Sequence, residues 1–181
     1  MNSISKMIPY PVFFMLLIFA SASMASDKEN TEAARITEAL ELYAQATPMD
    51  VHAPDRAELL TRAESILTDV IKKNPESLDA HRKLMGVYLQ MRDYRKAVET
   101  MQSAISLSPE DPKLFIALAI LYDHQGAYEY AVPVLDQALT LDPSSQMARD
   151  YKASIQQKIE MQKLAMEPTP DPHQMMDPHS K

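Results

Sequence analysis

The chain has 181 residues, 46% of them hydrophobic and 24% charged, which is enough for one domain and short for two. It carries 25 acidic and 18 basic side chains, a net charge of −7, and this argues against nucleic acid as a partner because phosphate binding needs a basic surface. There is no cysteine, and Gly86 and Gly126 are the only glycines, which excludes disulfides, thiol catalysis, Cys-based zinc sites, Gly-rich phosphate loops and the G-x-S-x-G elbow.

Residues 1–25 hold a single charge, Lys6, and an apolar run from Met7 to Ala20 broken by Pro9 and Pro11. Small residues follow in Ser21-Ala22-Ser23-Met24-Ala25. That order is the pattern of a secretory signal, and it predicts a cut after Ala25. The run is shorter than the roughly 20 apolar residues that a membrane span needs. The expectation is therefore an exported, periplasmic chain with no stable span after cleavage; an uncut anchor facing the periplasm is the alternative. A cysteine-free chain is compatible with such an oxidising compartment.

The body repeats itself at an offset of 34. Pro75, Pro109 and Pro143 are spaced by 34 and 34, and eight positions are identical between residues 78–111 and 112–145. They include Leu84/Leu118, Tyr88/Tyr122, Tyr94/Tyr128, Ala97/Ala131 and Ala104/Ala138. Self-similarity at a fixed period of this length marks a stacked repeat. Each copy reads as two helices. Phe115, Leu118, Ala119 and Tyr122 recur at i, i+3, i+4, i+7, the spacing of one apolar helix face. Gly126 supplies a turn residue free to take positive φ. The second helix turns Tyr128, Ala131, Leu135 and Ala138 inward and stops at Leu141-Asp142-Pro143, because proline restricts the residue before it. Pro133 falls inside that helix and predicts a late start or a kink. The copy before it follows suit, with Leu84, Met85 and Tyr88, then Tyr94, Ala97, Met101 and Ala104. The first copy, residues 31–77, is degenerate. Ile36, Ala39, Leu40 and Tyr43 form its first stripe, and Ala63, Leu67, Val70 and Ile71 its second. A long link, Thr47 to Asp55, joins the two. A closing helix over 146–164 presents Met147, Tyr151, Ile155 and Ile159 on one stripe, as expected for the polar-faced cap that a solenoid needs. Residues 165–181 hold four prolines with charges and no apolar period, and are expected to be disordered.

This pattern resembles the tetratricopeptide repeat (TPR) family. The family wants a large residue, then Leu, a small residue, Tyr, Gly, Ala, Phe or Leu, Ala and Pro. The third copy has Phe115, Leu118, Ala119, Tyr122, Gly126, Ala131, Leu135, Ala138 and Pro143. The second has His81, Leu84, Tyr88, Ala97, Met101, Ala104 and Pro109, and departs with Met85 at the small position, with Gly86 one place later, and with Arg92 in place of the turn glycine. The resemblance covers roughly residues 30–164. It implies an all-α, right-handed TPR solenoid of about three repeats with a closing helix, in a domain spanning 26–164 between the signal and the tail.

The resemblance also implies where a ligand would sit. The first helix of each repeat lines the concave side, and its exposed positions fall on Arg82, Leu89 and Gln90 in the second copy. In the third copy they fall on Lys113, Ile116, Ile120, Asp123 and His124, and the closing helix adds Met147. The expected groove is an apolar strip of Leu89, Ile116, Ile120 and Met147 with Arg82 and Lys113 at one side. An apolar surface strip usually marks a partner, here a protein or peptide segment whose carboxylate a basic side chain could take. Self-coverage by a homo-oligomer is the alternative. The two-carboxylate clamp of some relatives is absent, since Gly86 stands where that pattern wants Asn and Ala117 where it can want Arg.

The search for catalysis ends quickly. His52 lies in the link, His81 and His124 on helices, and His173 and His179 in the tail, and there is no H-E-x-x-H. Asp123 and His124 are adjacent, so on a helix they point about 100° apart. No nucleophile–base pair stands out. The reading is a non-catalytic interaction module with no cofactor, a periplasmic adaptor that holds a protein segment while an envelope complex assembles. The one competing ligand chemistry is in the tail, where Asp-Pro-His occurs twice around Met175-Met176; His and Met are copper ligands, but such a tail lacks fixed geometry.

Overall fold

The computed structural model of the chain describes residues 31–166. Those residues form seven α-helices and no strand: α1 (31–46), α2 (Pro54–Lys73), α3 (Leu78–Met91), α4 (Tyr94–Leu107), α5 (Pro112–His124), α6 (Tyr128–Leu141) and α7 (Gln146–Met166). The expected signal and nearly all of the expected tail lie outside the described residues. The chain divides into two compact units, one ending at Met91 and one beginning at Arg92.

The punctuation between helices follows the 34-residue offset. Asn74, Ser108 and Asp142 each precede a proline and each end a helix. Their backbones are nearly superimposable, at φ −136°, ψ 87°, then φ −141°, ψ 72°, then φ −132°, ψ 87°. This is the extended geometry that a following proline enforces. Each still donates its N–H back to the helix, to the carbonyls of Val70, Ala104 and Ala138. The turns inside the two regular repeats also match. Gly126 has φ 69° and Arg92, 34 residues earlier, has φ 60°. The left-handed turn is thus a demand of the repeat, and Arg92 meets it in spite of its Cβ. Starts are capped in the usual way: Asp93 accepts from the Lys96 N–H at 3.1 Å and Asp111 from the Lys113 N–H at 2.9 Å. Pro112 and Pro54 occupy first-turn positions where no N–H is missed.

In the first unit the core is Ile36, Ala39, Leu42 and Ala46 of α1 with Leu60, Ala63, Ile66, Leu67 and Val70 of α2 and Ala80, Leu84 and Val87 of α3. The α1 stripe differs from the expected one, because Leu40 and Tyr43 are only half-buried and Leu42 and Ala46 take the inner places. Tyr43 is turned instead toward a hydrogen bond with Gln90. Ile71 of α2 is likewise half-buried.

In the second unit Ala119, Ala131, Ala138 and Ala148 are fully buried with Leu135 and Ile155, so small residues let the helices close while two large ones fill the space between. Helix α6 begins at Tyr128 and runs through Pro133 without a late start. Pro133 and Glu129, whose carbonyl the proline cannot serve, are both exposed residues. Helix α7 reaches Met166, two residues past the expected end.

Candidate functional site

In the first unit, three expected binding residues sit on α3. Arg82 is exposed, and Leu89 and Gln90 are half-buried. Gln90 is not free. Arg56, in the first turn of α2, donates from one Nη to the Gln90 Oε1 at 2.7 Å and to its carbonyl at 3.1 Å, and Gln90 in turn donates to the Tyr43 hydroxyl at 3.5 Å. Arg56 is buried, and among the described residues its Nε has no partner and no carboxylate forms an ion pair with it. Its charge is placed at the C-terminal end of α3, where the carbonyls left without intrahelical donors favour a cation. Arg56 therefore fastens α2 to the end of α3, and Gln90 is spent on that fastening. The signal was present in the sequence: Arg56 lies on the stripe of Leu60, Ala63, Leu67 and Val70, so helical register alone assigns it to the buried face. His81 is buried too, with Nε2 3.1 Å from the Pro75 carbonyl, an anchor for the loop before α3.

In the second unit, α5 and α7 carry the remaining residues. Lys113 and His124 are exposed and Ile120 is half-buried against the core. Ile116 is a correction: expected on an exposed strip, it is 6% exposed and belongs to the core cluster with Ala148 and Ile155 of α7. Met147 is 68% exposed. Of the expected strip, this unit therefore keeps only Ile120 and Met147, while Tyr130, Met161, Leu164 and Met166 are exposed elsewhere in it.

Asp123 is also committed. It accepts from the Tyr151 hydroxyl at 2.6 Å and from the Lys158 ammonium at 2.6 and 2.7 Å, so it joins α5 to two places on α7 that lie about two turns apart. The Lys158 ammonium also lies 5.7 Å from the centre of the Tyr128 ring on α6, a cation–π contact. Burial works to raise the Asp123 carboxyl, but the hydrogen bonds from Lys158 and Tyr151, with the Lys158 charge, outweigh it and hold the group below its ordinary value. Burial and the carboxylate beside it push the Tyr151 phenol well above the usual tyrosine range. Both shifts favour the same arrangement, Asp123 ionised and Tyr151 protonated. His124 points elsewhere and stacks on Tyr94 with ring centres 5.9 Å apart and planes 10° from parallel. Asp123 and His124 thus make different contacts, as their adjacency on a helix requires, although the His124 charge adds a smaller lowering to the Asp123 carboxyl. Sequence reasoning missed Tyr151, Lys158 and Tyr94 as partners. On α7, Lys152 pairs with Asp136 of α6, a second charged tie between these helices. No helix among the described residues is long and apolar enough to cross a membrane.

Helix hairpins in series, capped by proline at a 34-residue interval, define an all-α TPR fold. A tetratricopeptide repeat model matches residues 88–155. Among curated proteins, the chain is 29% identical over 90 residues to the protein O-mannosyl-transferase TMTC1 of Mus musculus, a match spanning 48% of this chain and 10% of that protein. The chain thus corresponds to a small part of that relative. Among solved structures, it is similar to a thermophilic TPR protein of Thermus thermophilus, with a TM-score of 0.62, 22% identity, 74% of this chain and 68% of that one. It is also similar to the TPR2B domain of yeast Sti1 in its pHsp70 complex. There the TM-score is 0.57 at 19% identity, over 72% of this chain and 97% of that one.

Proposed function

We propose that this protein is a non-catalytic interaction module that holds a segment of another protein, and that it works as an exported adaptor during assembly of an envelope complex. The observation that carries the reading is the face of α5 and α7 in the second unit. Lys113, Ile120, His124 and Met147 leave cationic, apolar and aromatic groups accessible, while Asp123, Tyr151 and Lys158 hold α5 and α7 rigidly beneath them. A partner meeting that face would find it preorganised, which lowers the entropic cost of binding. The complex of the yeast Sti1 domain supports the binding of a protein ligand by this fold, although fold alone does not fix function. Export rests on the signal-like pattern of residues 1–25.

The test is capture of partners by the full chain from its own cell-envelope extract, beside variants Lys113→Glu and Met147→Glu. Both residues are exposed, so the variants keep the fold. A partner retained by the native chain and lost by both variants supports the reading. Capture indifferent to both removes this face from the binding surface. Export is tested by the N-terminal sequence of the chain recovered from cells, expected to begin at Ser26.

A further inference from the structure

Helix α7 outruns the repeat. Its register follows α5 at an offset of 34, so that Lys158 is the counterpart of His124, where α5 ends. In the third repeat the chain then turns at Gly126 and folds back as α6. At the matching place, Glu160, α7 continues as helix to Met166. The groove beside α6 and α7 is therefore not filled by a returning helix at that turn. It has a volume of about 460 Å³ and is lined by Val132 and Pro133 of α6, by Gln156 and Ile159 of α7, and by the charged Glu129, Glu160 and Lys163. Beyond it the end of α7 stands in solvent, with Leu164 60% exposed. Neither Glu160 nor Lys163 has an ion-pair partner among the described residues.

The order of residues on this face is its own complement. Ile159, Glu160, Lys163 and Leu164 share one face of the helix, with Glu160 and Lys163 three apart and the pairs Ile159–Lys163 and Glu160–Leu164 four apart. Reversal of the chain direction about the midpoint between Met161 and Gln162 carries Glu160 onto Lys163 and Ile159 onto Leu164. An antiparallel two-fold pairing uses such a reversal, because an isologous contact presents the same patch from both sides. We propose that the end of α7 docks in the α6–α7 groove of a second copy of this chain. Glu160 then meets Lys163 of the second copy, and Leu164 of the second copy covers Ile159 above Val132 and Pro133. The charge pattern selects the partner. A helix of one uniform sign would match one of these two charges on α7 and oppose the other, whereas a second copy matches both.

Charge exchange tests this directly. The full chain is followed by sedimentation equilibrium in a density-matched detergent, which also accommodates the apolar run of residues 7–20. The native chain is expected to move from monomer to dimer mass as its concentration rises. Glu160→Lys and Lys163→Glu each place like charges opposite one another twice per dimer, so the midpoint should rise by about tenfold or more. The double exchange Glu160→Lys/Lys163→Glu restores both pairs and should return the midpoint to near the native value. Circular dichroism of the three variants confirms that α7 persists. A native chain monomeric throughout the series overturns the proposal, as does a dimer indifferent to the single exchanges or a double exchange that stays monomeric. If dimers form only after residues 167–181 are deleted, the chain's own C-terminal segment occupies the groove and the proposal fails.

Discussion

The pair Arg92 and Gly126 offers a measurement with its control built in. Both residues stand at the same place in successive repeats and both hold a left-handed backbone, φ 60° and φ 69°. At Arg92 this puts a Cβ against the following carbonyl, at a cost of about 1–2 kcal/mol. Replacement by glycine removes the strain but adds freedom to the unfolded chain, worth about 0.4–1 kcal/mol. Arg92 is exposed, so loss of its side chain sacrifices little packing. Arg92→Gly should therefore stabilise the protein by about 0.5–1 kcal/mol. Gly126→Ala runs the same arithmetic in reverse. No atom lies within 4 Å of an added Cβ, so the cost is one of backbone conformation alone, again about 1 kcal/mol but destabilising. The assay is urea unfolding followed by circular dichroism, with an unchanged slope showing that the midpoint shift reports stability. Opposite signs of similar size are required. A destabilised Arg92→Gly, or a neutral Gly126→Ala, would refute the idea that the repeat imposes the turn on whatever residue occupies it.

Three further outcomes follow from the same structure. Asp123 is held below its ordinary value of 3.8, so its stabilising contribution is complete above that pH and is lost as pH falls through the lower folded value. Tyr151 is raised, so its contribution is complete below 10.0 and lost as pH rises beyond it; Asp123→Asn should flatten the acid limb of a stability–pH profile and weaken the alkaline one, leaving the share due to burial. Gly86→Ala, in the interior of α3 with open space around the new methyl, should raise the free energy of unfolding by up to about 1 kcal/mol, and a fall would mean that the helix needs the glycine. Leu135→Ala empties a fully buried position among small alanines that cannot close over it, and should cost about 2–5 kcal/mol in the same urea assay.

The skeleton of the fold was legible because it depends on local chemistry. A proline fixes the residue before it, a left-handed turn favours glycine, and both recur at 34. Even the exception at Arg92 was visible as a departure from the pattern, and the structure shows the backbone winning over the side chain. The binding face was less legible, for reasons that differ by residue. Helix α5 is apolar almost all round, from Leu114 to Tyr122, so periodicity cannot say which of its residues is covered. The family rule that opens Ile116 to a groove takes no account of Ala148 and Ile155, which join Ile116 in the core at the end of the stack. Asp123 failed in another way. Its partner Lys158 is 35 residues distant, outside the three- and four-residue pairs by which charges are matched along one helix. Yet 35 is one step beyond the repeat itself. In a stack of equivalent helices, residues one repeat apart stand side by side, so charge pairs should be sought near the repeat length as well as near one helical turn. By that rule Asp123 and Lys158 select each other from the sequence, and so does Arg56 with Gln90, at a separation of 34. Both ties use residues that the groove reading had assigned to a ligand. In a repeat protein the first claim on a polar side chain at such a position belongs to the neighbouring repeat, and only what that neighbour leaves unpaired is available to a partner.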